Sequence, residues 1–384
     1  MARKRKAFFT ANEMKKMMNV SKLQSFVFMP NEIYSDFSKG FADLKEETDA
    51  TARSSHVAYA FGYTFLAHYM WRYANHYYWD NAKGALPINE GIIKQLLGFN
   101  AKSEAYTYLT KNKTGFLEQI GYIRKVTDKP IAYYYEDEDC IDLAFTMESE
   151  SASPQKINHK AWKVAMPVKG IWRTPEDETN PEVKYPTSTI HLFGNTHIVE
   201  METFIYCITH PELGIEGFYL YCFLRKQYDK FRMGYDCSKR RMAQLTGLSI
   251  DEVKCQLENL ERYNMITNDH KPWCPDKPDD KDPKANTYTV LDYSDFAQNV
   301  MQMNIIPKQQ RVSAEEYERM IGWTNEKEID GNVIDIKTGE VIRKLNVDDE
   351  VDDMDDIDFE VFLKWGGDEC ILGSSGVNAI MVRG

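Results

Sequence analysis

The sequence predicts an α+β fold, mainly helical, in which two compact units are separated by a loop-rich connector and followed by an acidic tail. Three observations lead there. Long helical patterns in SSHVAYAFGYTFLAHYMWRYANHYYWDN and GIEGFYLYCFLRKQYDKF are each followed by a short helix pattern closed by a glycine, then by strand-forming residues. Residues 136–187 are instead rich in Glu, Asp, Ser and Pro, as in ESESASPQ and RTPEDETNPEVKYP, a composition of loops and short strands. Charge is also unevenly spread: Ser313 to Gly384 carries 19 acidic and 7 basic residues, which accounts for the whole net charge of −12. The expected organisation is a basic arm with a short helix (1–50), a first compact domain (51–135), the connector (136–187), a second compact domain (188–296) and the tail (297–384).

Composition excludes several classes of function. Apolar and aromatic contents of 43% and 13% fit an ordered chain. No apolar run approaches the roughly 18–20 residues that span a bilayer. The opening MARKRKAFFTANEMKK has neither a long apolar stretch nor a small-residue cleavage site, so a cytoplasmic protein without membrane contact is expected. Seven widely spaced cysteines without a CxxC pair point to a reducing compartment, with neither a disulfide framework nor a cysteine zinc site. His68 and His76, two turns apart on the predicted aromatic helix, read as packing residues. No Walker A loop, GxSxG elbow, HExxH or dinucleotide-binding glycine pattern is present, so no cofactor, no metal and no enzymatic activity are expected.

In the arm, Ala11 to Met18 predicts a short helix. In the second domain, the helix of GIEGFYLYCFLRKQYDKF is followed by the extended piece FRMGYD and then by SKRRMAQLTGLS. Ser238 caps a short helix with Met242, Ala243 and Leu245 inward, and Gly247 supplies the turn. Ser249 caps the next helix, with Glu252 completing a capping box and Val253, Leu257 and Leu260 forming the apolar stripe. Met265-Ile266 and NTYTVLDY then flank the loop NDHKPWCPDKPDDKDPK as a β-hairpin. Helix, strand, helix, turn, helix, hairpin is an order that resembles the winged helix-turn-helix superfamily, carried by RRMAQLTGLSIDEVKCQLENLERYNMI between about Gly214 and Leu291.

The first domain reads as a divergent second copy, which makes the predicted fold a tandem of winged helix-turn-helix domains. NEGIIKQLLGFN parallels SKRRMAQLTGLS, with Gly98 in the place of Gly247. KSEAYTYLTKNKTGFLEQIGYIRK supplies the third helix, with Lys113-Thr114-Gly115 as its breaking point, and IRKVTDKPIAYYY a hairpin about Asp128-Lys129-Pro130.

The resemblance implies that the third helix of such a unit lies in the DNA major groove while basic residues around it hold phosphates. On the second domain the exposed positions of that helix are Ile250, Asp251, Lys254, Cys255 and Glu258, preceded by Lys239, Arg240 and Arg241. The first domain is more basic, and its candidates are Lys102, Lys111 and Lys113 at the third helix and Arg124, Lys125 and Lys129 on the wing. Tyr59, Tyr63, Tyr69, Tyr73, Tyr77, Tyr78 and Trp79 suit core packing or an oligomer contact better than base stacking. Arg3-Lys4-Arg5-Lys6 reads equally as a phosphate-binding arm and as a solvated terminus. In the tail, NVIDIKTGEVIRK predicts a hairpin about Lys337-Thr338-Gly339, and DDEVDDMDDIDFEVF an acidic-hydrophobic partner hook or a cover for a basic surface. Among winged-helix proteins the arrangement resembles replication initiators and replisome organisers of bacterial plasmids and phages. That implies a homodimer on double-stranded origin repeats, with the tail recruiting a replication protein. A transcriptional regulator, or an assembly factor whose winged helices contact protein, remains open on the same residues.

Overall fold

The computed structural model describes residues 7–21, 25–48, 54–135, 143–150, 162–169, 196–230, 234–272, 274, 285–297, 305–306, 311–314, 316–317, 326–329, 332–335 and 341–344. The basic arm at 3–6, most of the connector, most of the loop 268–284, the turn at 337–339 and the acidic run from Asp348 lie outside the described residues. The fold is α+β, combining helices with small antiparallel sheets.

The larger of two compact units holds both predicted helical domains. It opens with α1 (Ala11–Met17), started by a complete capping box between Thr10 and Glu13. Next come β1 (Phe26–Pro30), α2 (Ile33–Thr48) and α3 (Ser54–Arg72). Every residue of α3 from Val57 to Arg72 is buried, which is why its apolar residues cover the whole helix circumference and leave no polar face. The helix stops at Arg72. Ala74 takes φ of 53° and Asn75 N–H donates back to Met70 O at 2.8 Å, so Tyr77 to Asp80 leave the helix as β2 and pair with β3 (Gly84–Pro87). The helix predicted to run through Asn81 is thereby corrected, and His76 shares no helix with His68.

In α4 (Glu90–Leu96), Asn89 Oδ1 caps the first turn and Gly98 takes φ of 82° after the last. The predicted third helix is corrected to two four-residue pieces, α5 (Thr107–Thr110) and α6 (Phe116–Gln119). The cause is local: Lys113 takes φ of 66°, and Gly115 packs so tightly that a Cβ there would sit 2.5 Å from Lys111 O. The predicted hairpin about Asp128-Lys129-Pro130 is corrected as well. β4 (Ile123–Val126) pairs with β7 (Val164–Pro167), and β5 (Pro130–Tyr135) pairs with β6 (Leu143–Met147). Asp128 is drawn away from a hairpin turn, because its carboxylate accepts Ser149 N–H at 3.0 Å and Ser149 Oγ–H at 2.7 Å.

β8 (Thr196–Glu200) pairs with β1 across the chain, and α7 (Met201–Thr209) leads into α8 (Gly214–Lys230). Then follow β9 (Tyr235–Cys237), α9 (Lys239–Thr246), α10 (Ile250–Arg262), β10 (Ile266–Asp269), β11 (Asn286–Val290) and α11 (Tyr293–Ala297). The last three strands form one sheet in the order β10-β11-β9. The two sequence domains share one core rather than holding one each. Phe61 and Phe65 of α3 lie 5.1–5.8 Å from Phe218 and Tyr219 of α8, ring centre to ring centre. Gly62 permits this approach, since a Cβ there would meet Ile215 Cδ1 at 2.4 Å and Leu97 Cδ2 at 2.7 Å.

In the smaller unit, β12 (Glu326–Ile329), β13 (Asn332–Asp335) and β14 (Val341–Lys344) form an antiparallel meander, so the strands flanking Lys337-Thr338-Gly339 do pair. Cys274 packs with Val312 and Tyr317 in a small separate cluster.

Candidate nucleic-acid interface

The sequence around Gly247 builds a helix, a tight turn and a second helix through interactions a few residues long. Ser238 Oγ accepts Arg241 N–H at 3.1 Å, capping α9. Gly247 ends it at φ of 69°, and its N–H donates to Ala243 O at 2.9 Å. Ser249 Oγ accepts Glu252 N–H at 3.2 Å and starts α10. The reciprocal half of the capping box is replaced: Ser249 N–H donates to Ser54 Oγ at 2.8 Å, and Glu252 Oε1 accepts from Gln256 Nε2 at 2.9 Å.

Longer contacts seat this pair on the core. Tyr219 O–H of α8 donates to Thr246 O at 2.8 Å, and Ser38 Oγ–H of α2 donates to Gln244 O at 3.2 Å. Val253, Leu257 and Leu260 face inward as the apolar stripe requires. Outward stand Ile250, Asp251, Lys254 and Glu258, with Cys255 half-buried and its thiol pushed above the ordinary value by burial, then by Glu252 and Glu258. Arg240 and Arg241 are exposed beside them and Lys239 is half-exposed.

The first domain's basic residues divide. Lys102, Lys111, Lys113 and Arg124 are exposed. Lys163, which falls within the connector in sequence, is exposed next to this group, with Nζ 3.4 Å from Asn112 Oδ1. Spacing gives little signal for it, because residues 112 and 163 are 51 positions apart and meet through the fold. Lys125 and Lys129 are corrected. The Lys125 side chain is 5% exposed, ion-paired with Glu90, hydrogen-bonded to Tyr63 Oη and seated 4.9 Å from the centre of the Tyr63 ring. Lys129 is 1% exposed, 2.6 Å from Glu148 Oε2 and 4.5 Å from the centre of the Trp162 ring. Neither ammonium can reach a phosphate, since each is already enclosed with its own counter-charge.

The first turns of α3 touch both basic groups: Ser54 holds Ser249, and His56 Nδ1 lies 2.8 Å from Tyr108 Oη on α5, just before Lys111. Tyr59, Tyr63 and Tyr69 of α3, for which the sequence favours core packing over base stacking, are buried in the core, and so is Tyr73 just beyond it. Trp79 alone of the seven aromatics is exposed, at 52%.

Among the described residues, no group of three or more His, Cys, Asp or Glu side chains gathers as a metal site, and the described cysteines are free thiols. His68, His76 and His197 are buried and held neutral, each pushed down to about 3 chiefly by burial. No helix among the described residues is long and apolar enough to cross a membrane. Comparison with protein-family models, curated proteins and solved structures yields no match to this chain.

Proposed function

We propose that this chain binds double-stranded DNA through α9 and α10, as a winged helix-turn-helix protein acting at origin repeats of a plasmid or phage. The observation that carries the reading is the combination of helix, glycine turn and helix with the β10-β11-β9 sheet, all behind an exposed Arg240, Arg241 and Lys254. A helix presented this way fits the major groove, and guanidinium groups on the preceding helix suit phosphate contacts. Lys111, Lys113, Arg124 and Lys163 add a second basic group that extends the contact along the backbone. A homodimer would place two such modules on repeated half-sites, and the acidic tail would recruit a replication protein.

One observation favours a second reading, in which the outer face of α10 contacts protein. Ile250 is 44% exposed there and Asp251 and Glu258 offset Lys254. The test is duplex binding by the full chain across a salt series. DNA binding predicts affinity that falls linearly on a log–log plot as salt rises; absence of duplex binding even at low salt sinks it and leaves the protein-contact reading. Repeats protected within or beside the protein's own gene would favour initiation, and protection confined to promoters would favour regulation.

A further inference from the structure

Arg72, the last residue of α3, is 92% buried, and its guanidinium meets rings instead of a carboxylate. Its Cζ lies 5.6 Å from the ring centres of Phe26 and Phe28 and 5.5 Å from that of Tyr73. The cage is held in place: Phe26 and Phe28 stand edge to face at 5.6 Å, and Tyr73 O–H donates to Phe26 O at 2.8 Å. Among the described residues no carboxylate lies within ion-pair distance of Arg72, and its Nε–H finds no acceptor. Glu200 is opposite Phe26 in the β1–β8 register, yet its carboxyl accepts from Thr203 Oγ1 at 3.2 Å, and Arg225 is the cation that acts on it. One turn before Arg72 on α3, buried His68 also has an unpartnered Nε2.

A guanidinium cannot shed its proton to escape burial. Ring faces attract its charge but accept none of its N–H groups in the plane of the fork, so the arrangement is electrostatically incomplete. An oxyanion supplies both missing parts, since two of its oxygens can receive the parallel N–H bonds of the fork.

We propose that the aromatic cage of Phe26, Phe28 and Tyr73 presents Arg72, assisted by His68, as a binding site for a single phosphate group. That group is either free inorganic phosphate or one phosphate of a nucleic-acid backbone. The site does not depend on the helix–turn–helix reading, because its primary test uses no DNA.

Thermal unfolding of the full chain is followed while inorganic phosphate replaces chloride at constant ionic strength. The wild type gains a saturable rise in Tm. Arg72→Met loses that rise, and Arg72→Lys, which keeps the charge but not the planar fork, binds phosphate at least about tenfold more weakly. His68→Ala keeps Arg72 and weakens phosphate binding by a smaller factor, so the proposal stays testable if Arg72→Met does not fold. A wild type indifferent to phosphate, or an Arg72→Lys response equal to the wild type's, overturns the proposal. The source is read from competition: phosphate that displaces a bound duplex in the wild type but not in Arg72→Lys assigns the site to backbone phosphate. Phosphate stabilisation without such competition assigns it to the free anion.

Discussion

Removing the charges of Arg240, Arg241 and Lys254 together, as glutamine, is the perturbation that bears most directly on the DNA-binding reading. All three side chains are exposed. Among the described residues none of them is ion-paired, and the one hydrogen bond from a side-chain cation among them is Arg241 Nη1 to Gln244 at 3.5 Å. Their loss therefore leaves no buried carboxylate behind. If each neutralises one phosphate, the log–log salt slope of binding falls by about 0.9 per contact, or about 2.7 for the triple variant. Over a fourfold rise in salt the wild type then loses about 40-fold more affinity than the variant. The assay is a duplex titration at several salt concentrations, with circular dichroism to confirm the fold. Lys129→Met is the internal comparison: its ammonium is enclosed with Glu148, so the slope is unchanged although stability falls. A triple variant with the wild-type slope, or a slope that drops in Lys129→Met instead, refutes the placement of the surface.

Gly247→Ala should cost about 1–2 kcal/mol in urea unfolding, because the residue sits at φ of 69° while its Cβ would meet Val57 only at ordinary contact distance, 3.7 Å. Gly247→Asn should cost less; equal stability of glycine and alanine there would show that the turn relaxes. Gly62→Ala should lose roughly 1–3 kcal/mol by overpacking against Ile215 and Leu97, and Ile215→Val should recover part of that loss in the double variant. Acid should destabilise the fold from about pH 6.5 downward. His68, His76 and His197 are held near 3 in the folded state, so the unfolded chain takes up protons that the fold refuses. Each histidine costs about 1.4 kcal/mol per pH unit in that window, and Glu200, pushed up to about 7 by burial, returns a similar amount. A net loss of roughly 3 kcal/mol per pH unit below 6.5 is expected in denaturant midpoints. A stability curve flat between pH 6.5 and 5 would contradict burial of these histidines.

The second helical domain was the more readable of the two. Ser238, Gly247 and Ser249 each act on backbone groups within four residues, so residue type and spacing are enough to place them. The first domain departs from its sequence pattern where contacts are distant. Nothing near Tyr77 announces that its strand pairs with residues 84–87, and the aromatic-rich composition continues past Arg72 although the helix does not. The candidate site divides along the same line. Arg240, Arg241 and Lys254 are exposed as their helical positions imply, whereas Lys125 and Lys129 sit in a stretch whose Asp128-Lys129-Pro130 signal predicts a hairpin turn that the structure does not form.

The sequence alone determined the α+β class, the helix starts at Ser238 and Ser249 and the stop at Gly247, and the outward positions of Ile250, Asp251, Lys254 and Glu258 on α10, because capping and periodicity operate within a turn or two of chain. The tertiary structure decided which charges are free. Lys125 is enclosed by Glu90, and Lys129 by Glu148 and Trp162, partners 35, 19 and 33 residues away. It also joined α3 and α8 into one core and left Arg72 among rings with no counter-ion among the described residues. A charged side chain's environment is the sum of what the fold brings to it from other segments, and one-dimensional spacing does not carry that sum.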